Sequence, residues 1–221
     1  MFFRLICVSL FLVLDFEYCF SQEDSLLNLF NNSNSDTVRV NLANELSVYY
    51  YRKNPEKNYE YANTAYRLSE KVGYSKGNIT ALANIGSYLI SINKFDTAYF
   101  CLLKAKNKAI ALGLKKEEAI AKNRLGVYHF YLGQTDSAIE YFSQASKIFE
   151  LAKDPVESCK IENNLGAIFR RKGDINKALI SFFKCLRFDE AQGSLSNIAS
   201  DFNNIGVAYI DKKILLTLVS F

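Results

Sequence analysis

The chain has 221 residues, 49% of them hydrophobic, with only two prolines and ten glycines and a formal charge of +4. That length permits one domain or two around a sizeable core, and the scarcity of helix breakers fits a mostly helical chain. A charge this small, with Lys and Glu interspersed along the chain, makes no electrostatic case for nucleic acid as a partner.

In chain order, Met1-Phe2-Phe3-Arg4 and the apolar run Leu5 to Leu14 read as a signal segment over residues 1–21, with Cys19-Phe20-Ser21 as a roughly small-x-small cleavage site. The run is too short to span a bilayer, which takes about 20 apolar residues. No membrane span is expected in this chain, and an exported protein, periplasmic or on a bacterial cell surface, is; an uncleaved anchor or a buried amphipathic start is the alternative. Residues 22–36 are polar and rich in Asn and Ser, and read as a flexible arm in which Leu26, Leu27 and Phe30 favour one short helix. A repeating region is expected over 37–212. Its first unit is irregular, with Ser47 where later units have Gly and a longer turn broken by Pro55. The following units run from Lys76 to Leu112, Lys115 to Ala152 and Asp154 to Glu190, and Asp154-Pro155 suits a capped helix start. A fifth first helix spans Ser196 to Lys212. Residues 213–221 are an apolar tail, read as a truncated fifth repeat or as a segment that docks on a partner, with self-association through it a further option.

The repeat itself is carried by four tetrapeptides spaced forty apart: Ala83-Asn84-Ile85-Gly86, Asn123-Arg124-Leu125-Gly126, Asn163-Asn164-Leu165-Gly166 and Asn203-Asn204-Ile205-Gly206. A fixed period of this size marks a solenoid. Twelve residues after the Gly comes an Ala (Ala98, Ala138, Ala178), then a large apolar residue (Leu102, Phe142, Phe182), then a small one (Ala105, Ala145, Cys185). These offsets predict two helices of about 17 residues joined by a tight turn. Glycine inside a helix costs about 1 kcal/mol against alanine, so it is expected where the second helix comes close.

With Leu125, Gly126, Gly133, Ala138, Phe142, Ala145 and Leu165, Gly166, Phe169, Gly173, Ala178, Phe182 in place, the chain resembles the tetratricopeptide repeat family. The resemblance implies an all-α, right-handed superhelical solenoid of antiparallel helix pairs, about four and a half repeats long. The sequence departs from the family in its period of forty, in lacking the common Trp, and in placing Leu89 and His129 at the first-helix aromatic position. The signal segment, the Pro55-Glu56-Lys57 turn and the forty-residue repeats are also similar to the periplasmic sensory regions of bacterial histidine kinases and regulators.

The residues most suggestive of a site are asparagines. Asn44, Asn123, Asn163 and Asn203 recur three residues before the Gly position, and Asn84, Asn164 and Asn204 two before it. Asparagine is a poor helix former, so its return implies a use. A side-chain amide donates and accepts at once, as an extended peptide backbone requires, and related repeat proteins use first-helix Asn on a concave face in this way. The competing use is structural, in bonds to the adjacent helix. Lys160 and Arg170 share the face of Asn163 and would make a partly basic groove suited to an acidic, hydrophobically anchored peptide. The family's carboxylate clamp does not carry over, because Ser87, Val127, Ala167 and Val207 hold its Asn position.

No catalytic constellation stands out. His129, the single histidine, is expected to be packed or to line a groove. No metal spacing and no cofactor fingerprint is present. Cys101, Cys159 and Cys185 form no framework and are expected to be buried. The expected function is therefore a protein- or peptide-binding scaffold, the sensory or interaction part of a signal-transduction protein without its output domain. The alternative is an assembly scaffold with no peptide ligand.

Overall fold

The computed structural model describes residues 22–51 and 53–219, so the signal segment expected at 1–21 lies outside the described residues. Those residues form ten helices and no strand: α1 (22–32), α2 (Asp36–Tyr50), α3 (Pro55–Lys71), α4 (Ser75–Ser91), α5 (Phe95–Ala111), α6 (Lys115–Tyr131), α7 (Thr135–Leu151), α8 (Pro155–Arg171), α9 (Ile175–Gln192) and α10 (Leu195–Val219). From α3 to α8 every helix has 17 residues, and three residues link each to the next, which together give the period of forty. The middle residue of each link from α3 to α9 is left-handed, including Asn93 at φ 59° and Lys153 at φ 52°. Four of those six links use Gly, which takes that conformation without a Cβ clash. Asp154 caps α8 by accepting the Glu157 amide at 3.2 Å, with Pro155 in the first turn, as expected.

The chain divides into two compact units within α5, between Cys101 and Leu102. In the first unit α2 packs on both α3 and α4, around Val40, Ala43, Ala65 and Ala81. Ser47, at the Gly position, is fully buried, and Asn58 donates to its carbonyl at 2.7 Å and its hydroxyl at 3.0 Å. Hydrogen bonds there replace the close packing that glycine permits elsewhere. The stretch 22–36, read as an arm with one short helix, is helical over 22–32, and 33–35 link it to α2. Leu26, Leu27 and Phe30 are half-buried, Phe30 meets the Tyr61 ring edge-on at 5.8 Å, and the Glu23 carboxylate accepts from the Tyr50 hydroxyl. Apolar spacing of one helical turn, anchored by a carboxylate, outweighs the Asn and Ser content of the segment.

In the second unit consecutive helices pack in order, and α6 also meets α8. A Cβ on Gly126 would stand 2.7 Å from the Phe142 ring, and one on Gly166 would be closer still to Phe182. Glycine is present because a phenyl ring of the second helix occupies its side-chain space. Phe142 and Phe182 are each almost fully buried, as are Ala138, Ala178, Ala145 and Cys185. The same expectation fails at Gly206, whose Cβ would meet nothing within 4 Å. No described helix follows α10 to cover it. Helix α10 itself continues to Val219 rather than stopping near Lys212, since no Gly or Pro interrupts the sequence there. The thiols are not uniformly buried: Cys185 is, while Cys101 and Cys159 are only partly covered.

Candidate functional site

Each sequence-predicted residue has a definite place. In the first unit Asn44 and Asn84 are both buried. Asn44 donates to the Gly77 carbonyl at 3.0 Å, and Asn84 donates to the Asn44 amide oxygen at 3.2 Å. In the second unit Asn164 donates to the amide oxygen of buried Asn123 at 3.1 Å. The amides thus pair across successive first helices, the later residue giving its N–H to the earlier one's oxygen. These two rungs satisfy buried polar groups that would each cost about 1–3 kcal/mol if left unpaired. For Asn44, Asn84, Asn123 and Asn164 the geometry is that of a helix-to-helix tie.

The third rung is different. By the same rule Asn204 would donate to Asn163, yet the Asn163 amide oxygen is buried with no hydrogen-bond partner. Its amide nitrogen instead donates to Asp201 Oδ1 at 3.4 Å. Asn203, on the last first helix, is exposed, because no described helix lies forty residues further on to pair with it. Lys160 places its ammonium 2.6 Å from Glu157, and Arg170 reaches Asp211 at 3.0 Å. The two cations proposed for a basic groove are each matched by a carboxylate. His129 is packed, its ring stacked on Tyr141 at 5.2 Å and its Nδ1 against Gln134 Oε1 at 2.5 Å.

Around the open rung lies a cavity of about 340 Å³ among α8, α9 and α10, with Cys159, Lys160, Asn163, Asp189, Asn197 and Asp201 in its wall. Asp189 and Asp201 are 5% and 1% exposed. Asn197 donates to Asp189 Oδ1 at 3.0 Å, whereas no donor of the chain reaches the buried Asp201 Oδ2. Burial pushes the Asp201 carboxyl up to about 6, opposed by the Asn163 amide and reinforced by the charge of Asp189 and by a hydrogen bond to it when Asp201 carries its proton. Beside them Cys185 donates to the Cys159 carbonyl at 3.1 Å, and burial raises both thiols.

Neither aspartate was singled out by the sequence, although the repeat carries the signal. Forty residues before Asp189 stands Phe149, and before that Ala109; forty before Asp201 stands Ile161, and before that Ala121. All four are fully buried. Two core positions of the repeat therefore carry carboxylates in its last copy, and the phenyl volume lost at Asp189 leaves room for the cavity. Among the described residues no group of three or more His, Cys, Asp or Glu is placed to hold a metal ion.

The sequence match covers α6 to α9 and stops short of α10. Residues 117–191 match the tetratricopeptide repeat family. No curated protein matches the sequence. Solved structures share the tetratricopeptide-like fold: a Rap protein complexed with competence and sporulation factor (TM-score 0.63, 16% identity, 91% of this chain and 65% of that one), aspartyl phosphate phosphatase F from Bacillus subtilis (0.61, 16%, 85% and 51%), and BtubC from P. vanneervenii (0.62, 16%, 88% and 83%). This chain spans 65% and 51% of the length of the first two. At such identities the likeness is one of fold.

Proposed function

We propose that the chain is a protein- or peptide-binding scaffold of tetratricopeptide-like repeats, the interaction part of a signalling protein. The observation that carries this reading is the polar cavity at the open rung, which Asn163 and Lys160 line together with two buried carboxylates, whereas Asn44, Asn84, Asn123 and Asn164 are satisfied internally. A helical frame with an unsatisfied polar opening suits recognition of a segment from outside. A neighbour of the same fold was solved in complex with a competence and sporulation factor, which supports a ligand-binding use of the architecture. Export and a sensory role rest on residues 1–21 and on the resemblance to periplasmic sensory regions. Panning the full chain against random extended peptides tests the reading. Capture of a peptide family that Asn163→Ala with Lys160→Ala weakens about tenfold or more, a change of about 1.4 kcal/mol, with the melting temperature retained, is the expected result. Peptide capture that ignores both changes, or no capture at all, refutes it.

The assembly reading draws on a second hollow, lined by Leu179, Ile180, Phe183 and Tyr209 of α9 and α10. Ile180 and Tyr209 are 67% and 49% exposed, and apolar side chains grouped in this way favour self-association or a protein partner. A concentration-dependent sedimentation coefficient that Ile180→Glu abolishes would favour this reading over a monomeric peptide receptor.

A further inference from the structure

The cavity among α8, α9 and α10 is short of hydrogen-bond donors. The Asn163 amide oxygen and Asp201 Oδ2 are buried and reached by no donor of the chain, while Asp189 has one donor, Asn197. These acceptors come from three helices and converge on one space. The chain's own cation at the rim, Lys160, directs its ammonium to Glu157. Leaving a carboxylate buried without a counter-charge is strongly unfavourable, and the repeat offers an apolar alternative at both aspartate positions, as Phe149 and Ile161 show. Among the described residues the pair's one compensation is a proton held between Asp201 and Asp189, which is lost as pH rises through about 6, so at neutral pH the two acids lack a counter-charge.

We infer that this cavity receives a primary ammonium group, presented by a lysine side chain or a free amino terminus of a bound peptide. An ammonium carries three donors and no acceptor, which matches the unfilled oxygen of Asn163, that of Asp201 and the remaining oxygen of Asp189. A hard divalent cation would have to complete its shell with water here, since no group of three or more His, Cys, Asp or Glu is placed to hold one among the described residues, whereas an ammonium is satisfied by three acceptors. The cavity, about 340 Å³, is at the small end of ligand sites, which run from about 300 to 1,000 Å³, and suits a single side-chain head. When the site is empty, the Asp201 carboxyl keeps its proton to a higher pH than a solvated one; an entering ammonium displaces it. The groups facing the pair are Cys159 and Lys160 from α8 and Cys185 from α9. Both thiols are raised and stay neutral and Glu157 balances Lys160, so Asp201 and Asp189 set the charge that the cavity presents.

This inference rests on the peptide-binding reading, and its test is separable from it. The full chain is titrated with Nα-acetyl-lysine methylamide, with glycyl-alanine amide for the amino-terminal source, with neutral Nα-acetyl-norleucine methylamide and with calcium chloride, following the side-chain amide resonances of Asn163 and Asn197. At least one of the two ammonium compounds should shift both resonances, and norleucine should not. Binding should weaken about fivefold or more from neutral pH to about pH 5, and about tenfold or more in Asp201→Asn, a variant expected to stay folded. Equal binding of norleucine, indifference to Asp201→Asn, or a response to calcium alone overturns the inference. Ammonium binding lost while panned peptides are still captured refutes only this assignment. Ammonium binding retained with no peptide captured refutes only the scaffold.

Discussion

The junction of the third and fourth repeats and that of the fourth and fifth use the same backbone for opposite purposes. At the first, Phe149 and Ile161 fill the space between helices and Asn164 closes an amide rung on Asn123. At the second, Asp189 and Asp201 occupy the equivalent places, the rung stays open at Asn163 and a cavity remains. In a repeat architecture each copy is a control for the next, so a buried polar residue out of phase with its equivalents stands out as a departure that packing alone does not require. Such departures are where a local rule is broken in favour of function.

The comparison breaks most severely where a filled repeat loses its shape. Gly166→Val would drive a branched side chain into the Phe182 ring and is expected to lower stability by about 3 kcal/mol, the upper part of the overpacking range. Gly206→Val, facing open space, should change it by less than about 1 kcal/mol. Denaturant titration of the two variants checks the contrast, and equal losses would mean that Gly206 is covered in solution.

Next in size is the pH dependence of the open junction. The Asp201 carboxyl sits at about 6 in the fold against a usual value of 3.8. The folded state therefore favours its protonated form: its contribution to stability is fully present below about 3.8 and is lost as pH rises through about 6. Relative to the wild type, Asp201→Asn should gain about 2 kcal/mol between pH 4 and pH 7, since each pH unit separating the folded and unfolded values is worth about 1.4 kcal/mol. A difference between the two proteins that does not vary with pH would place Asp201 in water.

The smallest effect sharpens the closed rungs. Asn44→Ala removes a donor from the Gly77 carbonyl and leaves the Asn84 amide only its longer bond, 3.4 Å, to the backbone carbonyl of residue 44, and should cost about 1–2 kcal/mol. Asn203→Ala, on an exposed site, should be nearly neutral when melting temperatures are compared.

Much of this was legible in the residues. Gly126 and Gly166 foretold a close helix pair because a glycine amid helix formers has few other uses, and the Ala and Phe twelve and sixteen residues on named its partner. Asp154-Pro155 marked a helix start through local chemistry alone. The asparagines gave their places but not their bonds, since spacing cannot choose between a ligand and the next helix, and four of them turned out to tie helices together. Lys160 and Arg170 suggested a basic groove because their carboxylate partners, Glu157 and Asp211, lie one helical turn away or on another helix. Asp189 and Asp201 are marked only when their phase in the repeat is compared with Phe149 and Ile161.

What the sequence determined by itself is the periodic part: helix lengths, left-handed links and the small residues where helices cross, all set by contacts between neighbours along the chain. What only the tertiary structure decided is which polar groups meet. Hydrogen bonding and burial depend on side chains some forty residues apart reaching the same few ångströms of space, and a pattern in one dimension does not fix that distance.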